Sequence, residues 1–417
     1  QLFVVAADGG APRQITSGSF DAGEPAWTHD GKALIFSSNR SSNAEYEINE
    51  SNLYRVDVND GTITQLTDRV GPDTSPAVSP DGRRVAFLGY DDRRIGNQDA
   101  HLYVMDLAGG RPRDLAPTLD RPVADLAWDG DRGIYFTFDD HGVGKIGWVP
   151  VGSGKVEIVA NDFGGTEIGR PYGAGAMSAA AGRITYTRGT AYRPADLAVA
   201  ARGSKQRVLT DLNANLLEHR MLGRIDTLRV KSSVDGRDIE GWIVTPPKFD
   251  TAKKYPLLLE IHGGPYANYG PRFSPEIQLY AAAGFVVLYM NPRGSTSYGD
   301  EFANLIQNAY PGRDYDDLMS GVDAVIAKGY IDPQRLYVTG GSGGGVLTAW
   351  IVGHTDRFRA AVVAKPVINW FSFVLNSDFY PLFAEYWFPG QPWEQLENYM
   401  KRSPIRYVGN VKTPTML

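Results

Sequence analysis

The stretch Leu336-Tyr-Val-Thr-Gly340-Gly341-Ser342-Gly343-Gly344-Gly345-Val-Leu-Thr-Ala-Trp350 decides how the rest of the chain is read. Four β-prone residues, Leu336 to Thr339, run into glycines around Ser342, and a helix-compatible run, Val346 to Val352, follows at once. A strand, a sharp turn with serine at its apex and a helix form the G-x-S-x-G nucleophile elbow. The glycines have a steric purpose. The serine backbone there is strained, and Cβ atoms on its neighbours would strike the adjacent strand and helix. That strain lifts the Ser342 Oγ clear of the sheet, and the N–H of Gly343 at the helix start can face a developing oxyanion. A phosphate loop would place Gly-Lys-Ser/Thr before the helix, and no lysine is present.

Around this turn, apolar runs alternate with helical spacing. Leu257 to Ile261, Phe285 to Met290 and Ala360 to Ala364 read as strands buried on both faces. Tyr315, Leu318, Met319, Val322, Val325 and Ile326 keep helical spacing up to Gly329. Asp226 to Lys231 and Asp238 to Val244 suggest a hairpin about Asp235-Gly236. The pattern predicts a doubly wound, mostly parallel α/β-hydrolase sheet with its site at the carboxyl ends of the strands. His262-Gly263-Gly264-Pro265 ends an early strand, where this fold supplies a second oxyanion donor. We assign that donor to the N–H of Gly264, beside Gly343, each such group lowering the barrier by ~3 kcal/mol. The order serine, acid, histidine puts the base downstream and makes His262 a poor candidate for it. His354 closes the helix after the elbow, ~17 Å along its axis, and reads as a C-terminal cap. The acid and base are expected past Thr413-Pro-Thr-Met416-Leu417, so the hydrolase unit is expected to be incomplete at its C-terminus. The aromatics between Trp370 and Tyr399 fit core packing and an apolar pocket wall equally well.

The first half repeats. Pro25-Ala-Trp27-Thr-His-Asp30-Gly31 recurs as Pro76-Ala-Val78-Ser-Pro-Asp81-Gly82, about 50 residues on. A second phrase follows each, as in Leu53-Tyr54-Arg-Val56-Asp57 and Leu102-Tyr103-Val-Met105-Asp106. Four strands per repeat mark β-propeller blades, about four and a half of them, rather than a sandwich with accidental Asp-Gly turns. We therefore divide the chain into blades over 1–220 and a hydrolase unit over 221–417, with both ends reading as cut. Glu45, Glu47 and Glu50 could hold a substrate amine, but a solvated loop accounts for them. His29 and His101 have no ligand-spaced neighbours and read as structural.

Composition sets the outer limits. The 417 residues carry 42% apolar and 22% charged side chains, a net charge of -6 and no cysteine. Nucleic acid and anionic membranes are not expected partners, and thiolate metal sites and disulfides are excluded. No metal or other cofactor is expected. No run of about 18 apolar residues is present to span a membrane. Compartment and oligomeric state stay open, a homo-oligomer included.

The propeller, followed by His-Gly-Gly-Pro, Asn291-Pro-Arg293-Gly-Ser-Thr296, Asp316-Asp-Leu-Met319, Gly-Gly-Ser342-Gly-Gly and His354-Thr-Asp-Arg-Phe358, resembles the prolyl oligopeptidase family of serine peptidases, nearest to its acylaminoacyl-peptidase and dipeptidyl-aminopeptidase-like branch. The resemblance implies Ser342 as nucleophile, Gly264 and Gly343 as oxyanion donors, and a propeller that admits short peptide substrates. It departs at Gly343, where the family often has tyrosine, and in having no counterpart of the family's aspartate and histidine. An esterase on the same elbow and a non-catalytic propeller binding module are the competing functions.

Overall fold

In the computed structural model, which describes residues 1–152 and 154–417, the repeated Asp-Gly phrases become turns with one shared wiring. Asp30 Oδ1 accepts the Thr28 hydroxyl and the Lys32 N–H, and Asp81 Oδ1 accepts the Ser79 hydroxyl and the Arg83 N–H. Gly31 and Gly82 follow with φ of 67° and 70°, a conformation that glycine adopts without a Cβ clash.

These turns join the first two strands of four-stranded antiparallel sheets. The first holds Gly23–Trp27, Ala33–Ser38, Asn52–Asp57 and Ile63–Gln65. The second runs from Asp73–Val78 to Arg113–Asp114, the third from Val123–Asp129 to Glu157–Ala160, and the fourth from Met177–Ala180 to Arg207–Val208. Phe3–Val4 and Arg13–Gln14 form a two-stranded piece before them. In the first three sheets the leading strand carries a bulge, between Gly23 and Ala26, Thr74 and Ala77, and Val123 and Leu126. Four sheets and a half match the blade reading, and recurrence of the bulge shows the repeat extends below the level of residue identity.

Arg224–Lys231 opens a seven-stranded sheet. Its order is Arg224–Lys231, Asp238–Thr245, Val286–Asn291, Tyr255–Ile261, Ile331–Gly341, Ala360–Ala364 and Thr415–Met416. The first two pairings are antiparallel and the rest parallel. Leu257, Leu259, Leu288 and Val338 form its buried middle under the helix Gly343–His354. One residue of the expected apolar strand breaks the pattern: Glu260 is fully buried.

Two of the motifs quoted above meet beneath the sheet's carboxyl rim. Arg293 gives Nε and Nη2 to Asp317 at 2.8 and 3.0 Å, and its backbone N–H to the same carboxylate at 2.9 Å. Both side chains are buried. Asn291 brackets the backbone of Tyr269, accepting its N–H and donating to its carbonyl at 2.9 Å each.

The propeller side docks on this rim at several places, among them the following three. Gly96 and Asn97 donate backbone N–H groups to Gln307 and Asn304, at 2.7 and 3.1 Å. The turn His141-Gly142 donates to Ser297. Arg170 reaches Glu260 at 3.4 Å and Glu276 at 3.2 Å. Burial opposes the charge of Arg170, but these two carboxylates outweigh it and hold the guanidinium charged. Burial wins at Glu260, whose carboxyl is pushed up to about 7 despite Arg170.

Two stability outcomes follow. Asp317→Asn leaves the buried Arg293 with only the longer, partly exposed pair to Asp235 at 3.3 Å, and urea unfolding should show a loss of about 3 kcal/mol. Folded Glu260 keeps its proton well above the ordinary value of 4.5. The stability it contributes is therefore complete below that value and is lost as pH rises toward 7. Glu260→Gln should flatten the fall in thermal midpoint across that window. An unchanged slope would show that Glu260 does not titrate there.

Candidate active site

Ser342 sits at φ 57° and ψ -120°, between the strand Ile331–Gly341 and the helix Gly343–His354. A non-glycine residue in such a region costs on the order of 1–3 kcal/mol and persists only where its surroundings enforce it. Here the Ser342 N–H is fixed to the Ala364 carbonyl at 3.0 Å, and its own carbonyl accepts the Val346 N–H at 2.9 Å. The neighbouring glycines allow the compression. A Cβ on Gly340 would lie 2.4 Å from the Gly344 carbonyl oxygen, and one on Gly344 would lie 2.1 Å from that of Ile261. The serine is exposed while Gly341 and Gly343 beside it are buried.

Gly343 is the first residue of its helix, so its N–H has no partner within the helix. Its Cα faces the Gly264 peptide so closely that a Cβ would lie 2.8 Å from the Gly264 oxygen. Gly264 is exposed and has φ +107°. The three residues singled out in the sequence thus come together on one rim.

His262 is buried and engaged on both nitrogens, with Nδ1 2.7 Å from the Gly263 carbonyl and Nε2 2.9 Å from the Ser295 hydroxyl. Burial pushes its pKa down to about 4, so the ring is neutral. The neutral ring donates from Nδ1, while its Nε2 competes for the one Ser295 hydroxyl proton with the Pro292 carbonyl, 2.6 Å from that hydroxyl. It is part of the loop's scaffold and cannot also take a proton from Ser342. His354 binds the Trp350 carbonyl through Nδ1 at 2.8 Å and stacks on the Trp350 ring, which is the capping position the sequence suggests.

Two residues near the site escaped the sequence reading. Tyr172 accepts the Gly263 N–H at 2.6 Å, and Arg170 lies so close to Gly341 that a Cβ there would be 2.8 Å from Nη1. Both lie in Asn161–Ala176, which interrupts the repeat between the third and fourth sheets. A cation and an aromatic in a glycine-rich insert were the only available signal.

The remaining sequence expectations divide. Glu45 is exposed, but Glu47 and Glu50 are half-buried and line a cavity of about 350 Å³ with Glu385 and Tyr386. The simple solvated loop therefore does not describe them. His101 is held by Asp114 at 2.8 Å. In the aromatic stretch, Trp370, Phe388 and Tyr399 are core, whereas Phe379 and Trp393 are exposed. Trp387 packs edge-on against Tyr266, two residues past Gly264. Among the described residues, no helix is long and apolar enough to cross a membrane.

Comparison with known proteins agrees with this architecture. The prolyl oligopeptidase family profile matches residues 271–417, and the profile of the dipeptidyl peptidase IV N-terminal region matches residues 1–88. The chain is 33% identical to the uncharacterized peptidase YuxL of Bacillus subtilis, with 100% of this chain and 64% of the relative aligned. It is 26% identical to dipeptidyl-peptidase 5 of Porphyromonas gingivalis, over 98% of this chain and 59% of that protein. The solved acylaminoacyl peptidase of Pyrococcus horikoshii superposes with a TM-score of 0.80 at 27% identity, covering 95% of this chain and 60% of that one. The chain thus spans about six-tenths of the length of these proteins. With a propeller ahead of a strained serine elbow, and both profiles matched in the same order, the chain belongs to the prolyl oligopeptidase family.

Proposed function

We propose that this chain carries the nucleophile and the oxyanion hole of a serine-type peptidase that cleaves short peptides through an acyl-enzyme. The observation that carries it is the exposed Ser342 in its strained conformation, with the Gly264 peptide packed against Gly343. In this reading Ser342 Oγ attacks the substrate carbonyl, and its carbon becomes tetrahedral. The N–H groups of Gly264 and Gly343 stabilise the negative charge on the oxygen. Collapse expels the amine and leaves an ester on Ser342, which water then hydrolyses. His262 and His354 are both committed elsewhere, so the base that takes the serine proton is unassigned within this chain.

Short peptides are favoured over proteins because propeller residues close over the rim. A cavity of about 350 Å³ is lined by Ala124, Asp125, Asp139, Phe163 and Gly173 from the propeller side and Asn268 from the hydrolase side. Ser342, Gly264 and Gly343 do not line it, so it marks enclosed space between the two units and does not size the substrate. The names of the relatives, dipeptidyl-peptidase and acylaminoacyl peptidase, point the same way. The reading keeps the division at about residue 220, supported by the seven-stranded sheet that begins at Arg224.

A fluorophosphonate probe applied to the full-length protein should label Ser342, and Ser342→Ala should abolish the adduct. Peptide turnover should fall by at least about 10³-fold in that variant. Labelling with turnover of esters but not peptides would identify an esterase. No adduct on Ser342 would reduce the protein to a binding module.

A further inference from the structure

The mechanism needs the Gly264 N–H to face the serine, yet that N–H lies between two glycines, the backbone least able to hold an orientation by itself. The peptide plane joining Gly263 to Gly264 contains both the Gly263 carbonyl and the Gly264 N–H, pointing in opposite directions. His262 Nδ1 holds the carbonyl at 2.7 Å and so aims the N–H. The preceding plane, joining His262 to Gly263, is held by its own N–H, which donates to the Tyr172 hydroxyl at 2.6 Å. One of these anchors is local. The other comes from 91 residues away, on the propeller side of the molecule.

Tyr172 is itself well fixed. Its ring lies against Tyr269 with centroids 4.7 Å apart. The adjoining Pro171 carbonyl accepts the Gly270 N–H at 3.0 Å, and the Gly169 carbonyl accepts the Ser274 hydroxyl at 2.8 Å. A Cβ built on Gly263 would lie 3.2 Å from the Tyr172 hydroxyl oxygen and 3.4 Å from the Ser342 Cβ, so the phenol stands beside the nucleophile without being bonded to it.

We propose that Tyr172 is a positioning residue for the oxyanion hole: its hydroxyl fixes the Gly263 amide and so makes the orientation of the Gly264 N–H depend on a propeller segment. This rests on the peptidase reading above. Tyr172→Phe removes one oxygen and keeps the ring packing against Tyr269. In the full-length protein, kcat for a peptide anilide should fall about tenfold while KM stays within about twofold, less than the loss for deleting an oxyanion donor outright. Fluorophosphonate labelling should slow in parallel. Ser274→Ala, which removes another hydrogen bond to the same segment, should lower the thermal midpoint yet leave kcat within about twofold.

Unchanged kcat in Tyr172→Phe, an equal loss in Ser274→Ala, or a rise in KM alone would each overturn the assignment. Hydrogen exchange separates it from the reaction itself. In an inert Ser342→Ala background, adding Tyr172→Phe should speed exchange across residues 262–265 several-fold, and unaltered exchange would overturn the anchoring whatever the protein catalyses. Full activity of Ser342→Ala would overturn the peptidase reading alone, leaving the exchange result to judge Tyr172.

Discussion

The structure depends on how closely three backbones approach at one point. The strand ending at Ile261, the turn at Ser342 and the start of the next helix are packed so tightly that side chains on Gly340 or Gly344 would overlap carbonyl oxygens. No other residue type relieves that overlap, so the glycines are a steric condition on the sheet before they serve chemistry. The strained serine follows from the same contact. With its N–H held by Ala364 and its carbonyl by Val346, it has no freedom to relax.

The polar groups beneath the rim serve that compression. Arg293 with Asp317, Asn291 with the Tyr269 backbone, and His262 with Ser295 each tie one loop at a strand end to its neighbour. They lie in a low-dielectric interior, where an unmatched partner is costly and a matched one fixes geometry. Glu260 is the exception. It is fully buried, one of its oxygens has no hydrogen-bond partner, and its counter-charge comes from the propeller side. Its neighbour Arg170, from a segment far away in sequence, only partly offsets the burial that favours its protonated form.

Most of the architecture was legible because it is written in local rules. Asp30 and Asp81 mark turns by hydrogen bonds spanning two residues, and the elbow is announced by glycines that only close approach explains. The bulges at Gly23 and Thr74 fall on the repeated Pro25-Ala and Pro76-Ala phrases, whereas the one at Val123 has no proline to mark it. Tyr172 and Arg170 were illegible for another reason. Their partners, Gly263 and Glu260, lie about ninety residues away, and nothing periodic links the two segments. Glu260 was hidden inside an apolar strand, where a single carboxylate looks like noise until its arginine is seen. Glu47 and Glu50 likewise gained their enclosure from Tyr386, across the molecule.

That the propeller side touches the rim at several separated places has a mechanical consequence. The loop at Gly96, the turn at Gly142 and the segment at Arg170 grip different loops of the same sheet edge. A body clamped at one point can swivel, but one clamped at three can only lift away. Hinging about any single attachment strains the others, among them the Asp139–Arg272 pair, so small thermal rocking is resisted while full detachment must release them together.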